Sequence, residues 1–385
     1  MANDVMYPGR TTLGVLGGGQ LGRMLILAGS RLGYPFHVFT PEGGSPAGVL
    51  AGREFNAPFR DEAALLEFAS SVDRVTLEFE NIPVAALEVL NTKTLVCPGA
   101  EVLSICQNRY REKEFLKREG FPCAPFMVVD SPESLNRAVG EIGVHCVLKS
   151  ADFGYDGKGQ VKIEETERDW GLLWEALKPE TGVAVVEQWV DFEKECSVIC
   201  ARNDRGEIAV FPIAENIHRD HILHTSIVPA RLSPEIETQG IMLGRSITER
   251  MGVVGLLAVE LFLTRQGELW VNEMAPRPHN SGHFSFDACL TSQFEQHIRA
   301  VCGLPLGSTD LLQPVVMVNL LGDLWKRDKA PDWDILLRDP AVKLHLYGKR
   351  EAKPGRKMGH FCVLDPVLET ALVKAEKLFE QLVDL

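Results

Sequence analysis

The sequence predicts a mixed α/β and α+β protein that begins with a parallel sheet covered by helices. Three observations support this class. A strand, a glycine-rich turn, a helix and a second strand follow one another near the N-terminus, which is typical of parallel sheets. The middle of the chain instead holds short strands joined by tight turns. The length of 385 residues corresponds to two or three domains at about 150 residues each.

The N-terminal region supplies the elements of the parallel sheet. Strands are predicted at residues 12–16, 36–39 and 74–77, with a helix at about 23–32 between the first two. Each strand is a short apolar run bounded by glycine, proline or charged residues. We expect this Rossmann-like domain to cover residues 1–107.

A second, larger domain is predicted over residues 108–305 and a small third domain over residues 306–385. A charged helix at 109–118 opens the second domain, and a helix at 292–302 closes it before a glycine and a proline. Both of these residues are typical helix ends. The short strands between the two helices are predicted at 126–129, 146–149, 160–163, 183–186, 195–201, 257–263 and 269–272.

Composition and charge exclude several classes of function. Apolar residues make up 45% of the chain and the net charge is −13, so a large core is expected and a nucleic-acid polymer is not expected as a partner. The most apolar stretch, residues 253–263, is too short to span a bilayer, and the N-terminus has no secretory signal. Nine cysteines without a C-x-x-C pair are typical of reduced thiols, so we expect a cytoplasmic protein with no membrane partner.

The first glycine cluster matches G-x-G-x-x-G at Gly17, Gly19 and Gly22, between a strand and a helix. This pattern is found at dinucleotide sites, which also need an acid about 20 residues further on. Glu42 is the only candidate and follows a proline in a loop. A tight strand–helix turn and a site for a phosphate or a small polar substrate therefore remain as alternatives.

The second glycine cluster lies between two predicted strands, with Lys149 on the entering strand. Its residues are Gly154, Tyr155, Asp156, Gly157, Lys158, Gly159 and Gln160. Backbone N–H groups and ammonium groups in such a hairpin suit a polyphosphate. A flexible turn with a solvated Lys158 explains the pattern equally well.

Two glutamates lie in or next to apolar strands, where burying a carboxylate costs free energy. Glu260 lies inside an apolar strand and Glu273 ends the next one, so a hairpin of these strands would bring both carboxylates to one point. Oxygen ligands shared with phosphates are what magnesium prefers, which favours a metal site. The alternative is a buried salt bridge to Arg277 or to a lysine. The polar loop 275–283 that follows suits an anion or a hydroxylated ligand, although a structural loop is possible.

The apolar run 183–190 ends in polar residues that include Glu187. Such a strand end could bind an adenine and a ribose through backbone groups and a carboxylate. Taken alone, however, the run is better explained as a core strand that meets solvent.

A basic segment near the C-terminus contrasts with the acidic remainder of the chain. It contains Lys343, Lys349, Arg350, Lys353, Arg356 and Lys357. A solvated basic loop is the usual interpretation of such a run. A monophosphate site is the alternative, since arginine offers paired donors and lysine a point charge.

In this order, the motifs resemble the ATP-grasp superfamily and, within it, the N5-carboxyaminoimidazole ribonucleotide synthases of bacterial and fungal purine biosynthesis. The resemblance runs almost from end to end and is carried by residues 17–24, 155–160, 272–283 and 354–360. The last two strings are specific, whereas glycine loops alone are not.

The resemblance implies a central ATP-grasp domain with a glycine-rich lid and a small C-terminal domain. It implies that ATP, bicarbonate and 5-aminoimidazole ribonucleotide give the N5-carbamate, ADP and phosphate, through carboxyphosphate and with Mg²⁺ as cofactor. It also suggests a homodimer.

The resemblance further implies a role for individual residues. The ATP site would consist of Arg109, Lys149, Gly154, Tyr155, Asp156, Gly157, Lys158, Gly159, Gln160, Glu187, Gln188, Trp189, Val190, Glu195, His218, Asn272 and Glu273. The ribonucleotide site would consist of Gln20, Glu78, Tyr155, Arg277, Lys349, Lys353, Arg356 and Lys357. The metal ligands would be Glu260 and Glu273, and the catalytic residues Asp156, Arg277 and Lys353. Arg277 would orient the bicarbonate-derived group, and Asp156 would contact the substrate amine.

Other functions explain fewer motifs. Another ATP-grasp ligase, such as a formate-dependent glycinamide ribonucleotide transformylase or a biotin carboxylase, does not account for residues 354–360. An NAD-dependent oxidoreductase leaves the second glycine cluster and the paired acids unexplained, and intact metal carboxylates argue against a non-catalytic regulator. One residue departs from the family pattern: His221 stands where these enzymes usually have glycine, which puts the local turn and the placement of His218 in question.

Overall fold

The elements of the N-terminal region alternate between strand and helix. They are β1 (Leu13–Leu16), α1 (Gln20–Arg31), β2 (Phe36–Thr40), β3 (Arg53–Asn56), α2 (Glu62–Ala69), β4 (Arg74–Leu77), α3 (Val84–Asn91), β5 (Leu95–Cys97) and α4 (Ala100–Cys106). The strands form a parallel sheet in the order β3-β2-β1-β4-β5. Because the order reverses between β1 and β4, the carboxyl ends of these two strands open a crevice.

Helix α1 begins at Gln20, three residues before its predicted start. The early start of the helix is stabilised by Glu78, which directly follows β4. Its carboxylate accepts hydrogen bonds from the backbone N–H groups of Gly19 and Gly22. These donors belong to the first turn of the helix and need acceptors from outside it. A carboxylate 59 residues away in sequence supplies them.

A four-stranded antiparallel sheet follows within the described part of the chain, which the computed structural model gives as residues 5–152, 159–164, 169–326 and 329–383. Its elements are α5 (Arg109–Arg118), β6 (Phe126–Val129), α6 (Pro132–Ile142), β7 (Cys146–Ser150), β8 (Gln160–Ile163), α7 (Trp170–Leu177) and β9 (Ala184–Gln188). The strand order is β6-β9-β7-β8. Strands β7 and β8 form the hairpin predicted around the second glycine cluster, but the predicted site residues Gly154, Tyr155, Asp156, Gly157 and Lys158 lie outside the described residues.

The remaining strands form one large sheet in the order β15-β14-β10-β12-β13-β16-β18-β17, with β11 beside β10. The elements are β10 (Phe192–Arg202), β11 (Ile208–Val210), β12 (Ala214–Arg219), β13 (Ile222–Val228), α8 (Pro234–Met251), β14 (Gly255–Thr264), β15 (Leu269–Ala275), α9 (Ser285–Ala288), α10 (Gln293–Val301), β16 (Val315–Leu321), α11 (Asp334–Leu337), β17 (Val342–Leu346), β18 (Lys357–Leu364) and α12 (Leu368–Val383). Strand β13 pairs with β16, so the sheet continues across residue 305. The predicted fold class is confirmed, and the domain boundaries at 107 and 305 stay a prediction.

Hairpin β12–β13 turns through Asp220 and His221, whose φ angles are 50° and 64°. Two positive φ angles are typical of the tight turn that best matches the twist of a hairpin, and glycine is preferred there. The turn therefore forms with histidine at the position in question, and the strands on either side pair.

Replacing His221 by glycine is expected to raise the thermal midpoint of unfolding slightly. A left-handed backbone costs a residue with a Cβ about 1 kcal/mol or more, and part of this gain is lost to the greater freedom of glycine in the unfolded chain. His221→Val is the matched control and should lower the midpoint, because a β-branched side chain fits this backbone poorly. A lower midpoint for the glycine variant would show that the imidazole itself stabilises the turn.

None of the helices in the described ranges has both the length and the apolar character needed to cross a bilayer. All nine cysteines lie within those ranges, and each is a free thiol.

Candidate active site

A cleft of about 1760 Å³ lies where the three sheets meet. It is lined by residues from the start of α1, from the segment after β4, from β7, β8, β9, β10, β12, β13, β14 and β15, and from the segment before β18. The predicted site residues that line it are Gln20, Glu78, Arg109, Lys149, Gln160, Glu187, Gln188, Trp189, Val190, Glu195, His218, Glu260, Asn272, Glu273, Arg277, Lys349, Lys353, Arg356 and Lys357. Of the residues that the resemblance assigns to the site and the structure describes, only Gly159 is not part of this lining.

The first glycine cluster forms a turn that is capped by a carboxylate. The carboxylate of Glu78 already occupies the N-terminus of α1, where the N–H of Gly22 donates to Oε2 at 2.9 Å. A pyrophosphate at this position would meet a like charge. This capping contact argues against the dinucleotide and phosphate interpretations of Gly17, Gly19 and Gly22. Glu78 and Gln20 line the cleft beside the turn.

Arg277 forms a two-pronged ion pair with Glu80, a residue that the sequence did not single out. Its Nη2 lies 2.8 Å from Oε1 of Glu80, and its Nε donates to Oε2 of the same carboxylate. Paired bonds of this kind fix both charge and orientation. Although burial opposes it, the guanidinium lowers the pKa of Glu80 to about 2. Glu80 stands two residues after Glu78 at the same strand end, and this spacing is the one signal that could have found it.

The paired acids Glu260 and Glu273 lie on adjacent antiparallel strands, β14 and β15, as predicted. Glu260 Oε1 lies 3.2 Å from Nε2 of His279, and Glu273 Oε2 lies 3.6 Å from Nη1 of Arg109. The alternative interpretation was a buried salt bridge to Arg277 or to a lysine. The partners that the structure shows, His279 and Arg109, are different residues. Burial and the negative charge of Glu260 raise the pKa of Glu273.

The two acids of this pair fit a divalent cation, which would relieve their repulsion. The described residues contain no group of three or more histidine, cysteine, aspartate or glutamate side chains placed to enclose a metal ion. Two carboxylates beside an open cleft leave room for phosphate oxygens, which suits magnesium better than a closed structural site.

Glu187 is buried between two lysines. Its Oε2 lies 3.1 Å from Nζ of Lys149 and 3.3 Å from Nζ of Lys113, and these ammonium groups lower its pKa to about 2 although burial opposes it. The other oxygen, Oε1, is buried without a hydrogen-bond partner among the described residues. A buried carboxylate oxygen without a donor is costly, so this atom marks a place for a ligand donor.

Helix α5 holds this cluster in place through two residues that the sequence analysis missed. Lys113 is 1% exposed and donates to the carbonyl of Asn272 at 3.0 Å. Glu112 accepts the N–H of Met274 at 2.5 Å, and burial raises the pKa of Glu112 to about 8. The helix looks solvated in the sequence because it is rich in charge, and nothing local shows which charges turn inward.

Glu195 and His218 form a second pair across β10 and β12. Nδ1 of His218 hydrogen-bonds Oε2 of Glu195. Burial alone would lower the pKa of His218. The hydrogen bond to Glu195 and the negative charge of that carboxylate outweigh burial, so the pKa of His218 is raised. The turn at His221 therefore leaves His218 in the cleft, where the resemblance implies it should lie.

The basic segment folds as strands β17 and β18 and the turn between them. Its cations Lys349, Lys353, Arg356 and Lys357 line the cleft, whereas Lys343 and Arg350 do not. Lys349 donates from Nζ to the carbonyl of Lys357 at 2.7 Å, and burial and the charge of Arg356 lower its pKa to about 8. Lys353 is more exposed and pairs with Glu351 at 2.9 Å. We name residues 348–357 the basic hairpin.

Family models match the chain along most of its length. The ribonucleotide synthetase preATP-grasp domain matches residues 10–107, the ATP-grasp domain matches residues 114–294, and the phosphoribosylaminoimidazole carboxylase C-terminal domain matches residues 315–374. Together with the cleft, these matches define an ATP-grasp ligase.

Several relatives narrow this class. The N5-carboxyaminoimidazole ribonucleotide synthase of Bacillus subtilis (strain 168) is 46% identical over 361 residues, covering 94% of this chain and 93% of that protein. An ADP complex of an N5-carboxyaminoimidazole ribonucleotide synthetase has a TM-score of 0.90 at 44% identity, covering 98% of each chain. The Aspergillus clavatus N5-carboxyaminoimidazole synthase, in complex with ADP and 5-aminoimidazole ribonucleotide, has a TM-score of 0.88 at 31% identity, covering 97% of this chain and 98% of the other. This chain belongs to the N5-carboxyaminoimidazole ribonucleotide synthase family, which confirms the resemblance seen in the sequence.

Proposed function

We propose that this protein carboxylates 5-aminoimidazole ribonucleotide with ATP and bicarbonate, releasing ADP and phosphate, as a step of purine biosynthesis. The observation that carries the proposal is the meeting, in one cleft, of the buried Glu187 cluster, the paired acids and the basic hairpin. These suit a nucleotide base, a metal-bound polyphosphate and a monophosphate respectively. Membership of the family supports the same reaction.

The nucleotide would lie along β9 and β10. Oε1 of Glu187 would accept a hydrogen bond from the exocyclic amine of adenine, while Gln188, Trp189 and Val190 would offer backbone groups to the base. Glu195 and His218 would meet the ribose. Arg109 and Lys149 would hold the phosphates, together with Gly154, Tyr155, Asp156, Gly157, Lys158, Gly159 and Gln160.

Magnesium would be held by Glu260 and Glu273, with Asn272 beside them. When bound, the ion would neutralise charge on the phosphate oxygens. The two carboxylates would also fix its position relative to the phosphates, which matters because phosphoryl transfer depends largely on positioning and on charge stabilisation.

Bicarbonate is a poor electrophile, so its activation is the central chemical problem. A bicarbonate oxygen would attack the γ-phosphorus of ATP, forming carboxyphosphate and releasing ADP. The amine of the ribonucleotide would then form the carbon–nitrogen bond at the bicarbonate-derived carbon, and phosphate would leave. Arg277, held by Glu80, would orient the bicarbonate-derived group, Asp156 would contact the amine, and Lys353 would act beside the ribonucleotide. Exclusion of water would protect the intermediate.

The ribonucleotide would contact Gln20, Glu78, Tyr155 and Arg277 and place its phosphate on the basic hairpin. Lys349, Lys353, Arg356 and Lys357 supply the positive charge there.

A homodimer is proposed from the family resemblance, and a cytoplasmic location from the free cysteines. The domain boundaries at 107 and 305 are likewise proposed, and the change from a parallel to an antiparallel sheet after residue 107 supports the first of them.

The Michaelis constant for the ribonucleotide is expected to rise about tenfold between pH 7 and 9. Lys349, with its pKa near 8, is an ammonium group below that pH and loses its attraction for phosphate above it. The phosphate itself is already mostly a dianion at pH 7, so it does not cause the change. Steady-state kinetics at several pH values measure this effect. Lys349→Arg, which stays charged, should give a flat profile, and an unchanged slope in that variant would contradict the assignment.

ADP release from ATP and bicarbonate, with and without 5-aminoimidazole ribonucleotide, tests the function. Strong stimulation by the ribonucleotide is expected. Stimulation by formate and glycinamide ribonucleotide instead would indicate another ATP-grasp ligase. No ADP release under any condition would indicate a non-catalytic nucleotide-binding protein.

A further inference from the structure

A largely buried cluster of polar aromatic side chains lies where β17 and β18 meet the polar loop before α9. It consists of His283, His345, Tyr347 and His360, which we call the histidine–tyrosine cluster. His283 and His360 are fully buried and Tyr347 is 1% exposed, and none of the four lines the cleft. His283 and His360 end the two family-specific strings of the sequence, yet the proposed reaction gives neither of them a role.

The cluster closes the base of the basic hairpin. Oη of Tyr347 and Nδ1 of His360 are joined by a hydrogen bond of 2.8 Å. The rings of His345 and His360, which face each other across β17 and β18, stack at 4.5 Å with an 8° angle between their planes. Nε2 of His345 lies 2.7 Å from Oδ2 of Asp287. These contacts join the strand entering the hairpin to the strand leaving it.

The same cluster reaches the polar loop that carries Arg277. The ring of His283 lies 5.0 Å from that of His360, and its Nδ1 lies 3.1 Å from Nε2 of Gln293. Gln293 also holds the backbone of His279, accepting its N–H at 2.9 Å and donating to its carbonyl at 2.7 Å. His279 in turn pairs with Glu260. One continuous set of contacts therefore runs from the paired acids to the basic hairpin.

His283 and His360 do not act through charge. Burial lowers the pKa values of His283 and His360 well below the ordinary range, so both rings are neutral. Their effect on the cleft must come from the positions they impose on neighbouring backbone.

The nearest such position is the start of the basic hairpin. The N–H of Tyr347 donates to the carbonyl of Met358 at 2.9 Å, and the chain leaves the strand at Gly348, whose φ is 73°. Nζ of Lys349, two residues beyond Tyr347, lies 5.8 Å from the centre of its ring.

We propose that Tyr347 and His360 are positioning residues that hold the basic hairpin in the conformation that binds the phosphate of the ribonucleotide. This inference rests on the proposed function. A preformed set of cations binds an anion more tightly because less order is lost on binding. A purely structural role would lower stability and leave the Michaelis constants alone.

Two variants test the proposal in the full-length protein. Tyr347→Phe removes one hydroxyl and keeps the ring, and His360→Leu removes both ring nitrogens. Each is expected to raise the Michaelis constant for the ribonucleotide about tenfold, while that for ATP and kcat change by less than about twofold. His360→Asn keeps an acceptor near the place of Nδ1 and should restore most of the loss.

Thr76→Val is the matched control. Oγ1 of Thr76 hydrogen-bonds Nε2 of another buried histidine, His297, at 2.6 Å, and neither residue lines the cleft. The control should lower the thermal midpoint without changing either Michaelis constant.

The outcomes separate the inference from the function. Wild-type protein with no ribonucleotide-stimulated ADP release would overturn both. Normal wild-type stimulation with an unchanged ribonucleotide Michaelis constant in Tyr347→Phe would overturn the inference alone, as would an equal rise for ATP and the ribonucleotide. Because Tyr347→Phe is so small a change, a folding defect in His360→Leu does not prevent the test.

Discussion

Replacing Glu273 by glutamine is expected to lower kcat for ribonucleotide-stimulated ADP release by roughly 10³-fold, a loss typical of removing one charge-stabilising group. The amide has the size of the carboxylate, so β15 should keep its place. It lacks the charge with which Glu273, together with Glu260, would hold a divalent cation. The expected loss therefore comes from the metal and not from the fold.

Metal binding gives a readout that does not depend on turnover. Binding of Mn²⁺ in the presence of ADP, followed by its paramagnetic signal, should weaken strongly in Glu273→Gln. Glu268→Gln is the control, because Glu268 is an exposed residue just before β15 and does not line the cleft. If Glu273→Gln kept both metal binding and activity within about tenfold, the two acids would be structural.

Arg277→Ala is expected to lower the rate of ribonucleotide-stimulated ADP release by about 10²- to 10³-fold. The variant removes the group proposed to orient the bicarbonate-derived carbon. It also leaves Glu80 without its partner, and stranding a largely buried charge costs about 3–5 kcal/mol of stability. A fall in the thermal midpoint is therefore expected together with the kinetic loss.

Two further variants separate these effects. Arg277→Lys keeps the charge beside Glu80 but cannot form the paired bonds, so it should fold normally and still lose most activity. Glu80→Gln keeps the guanidinium and removes its partner's charge, so its activity should fall less than that of Arg277→Lys. Full stimulation by the ribonucleotide in Arg277→Lys would show that orientation by this side chain is not required.

The sequence predicted the strands well where an apolar run ends at a glycine, a proline or a charge. Strand β4 and helix α5 have the bounds predicted for them. Hairpin β12–β13 and helices α6 and α8 were not predicted. Both helices nevertheless carry a readable start, a serine N-cap followed by a proline, at Ser131 and Ser233. The turn of that hairpin was harder still, since it has histidine where the pattern calls for glycine.

Side-chain pairs between residues that are far apart in sequence could not be predicted from the sequence. Arg277 and Glu80 are separated by 197 residues, and no local pattern indicates which of many acids meets this arginine. The burial of Lys113 could not be predicted either, because its partners Glu187 and Asn272 lie on other elements of the fold. The paired acids were found because strand neighbours are also near in sequence.

The continuous sheet also determines how the chain can be divided. Val228 on β13 is in register with Val315 on β16, so a fragment ending at residue 305 would leave β13 with a row of unsatisfied backbone groups. An uncovered edge of this kind recruits strands from other molecules. Such a truncation is expected to aggregate instead of yielding a minimal ATPase. The C-terminal segment therefore has two tasks: it covers the edge of β13, and it carries the basic hairpin.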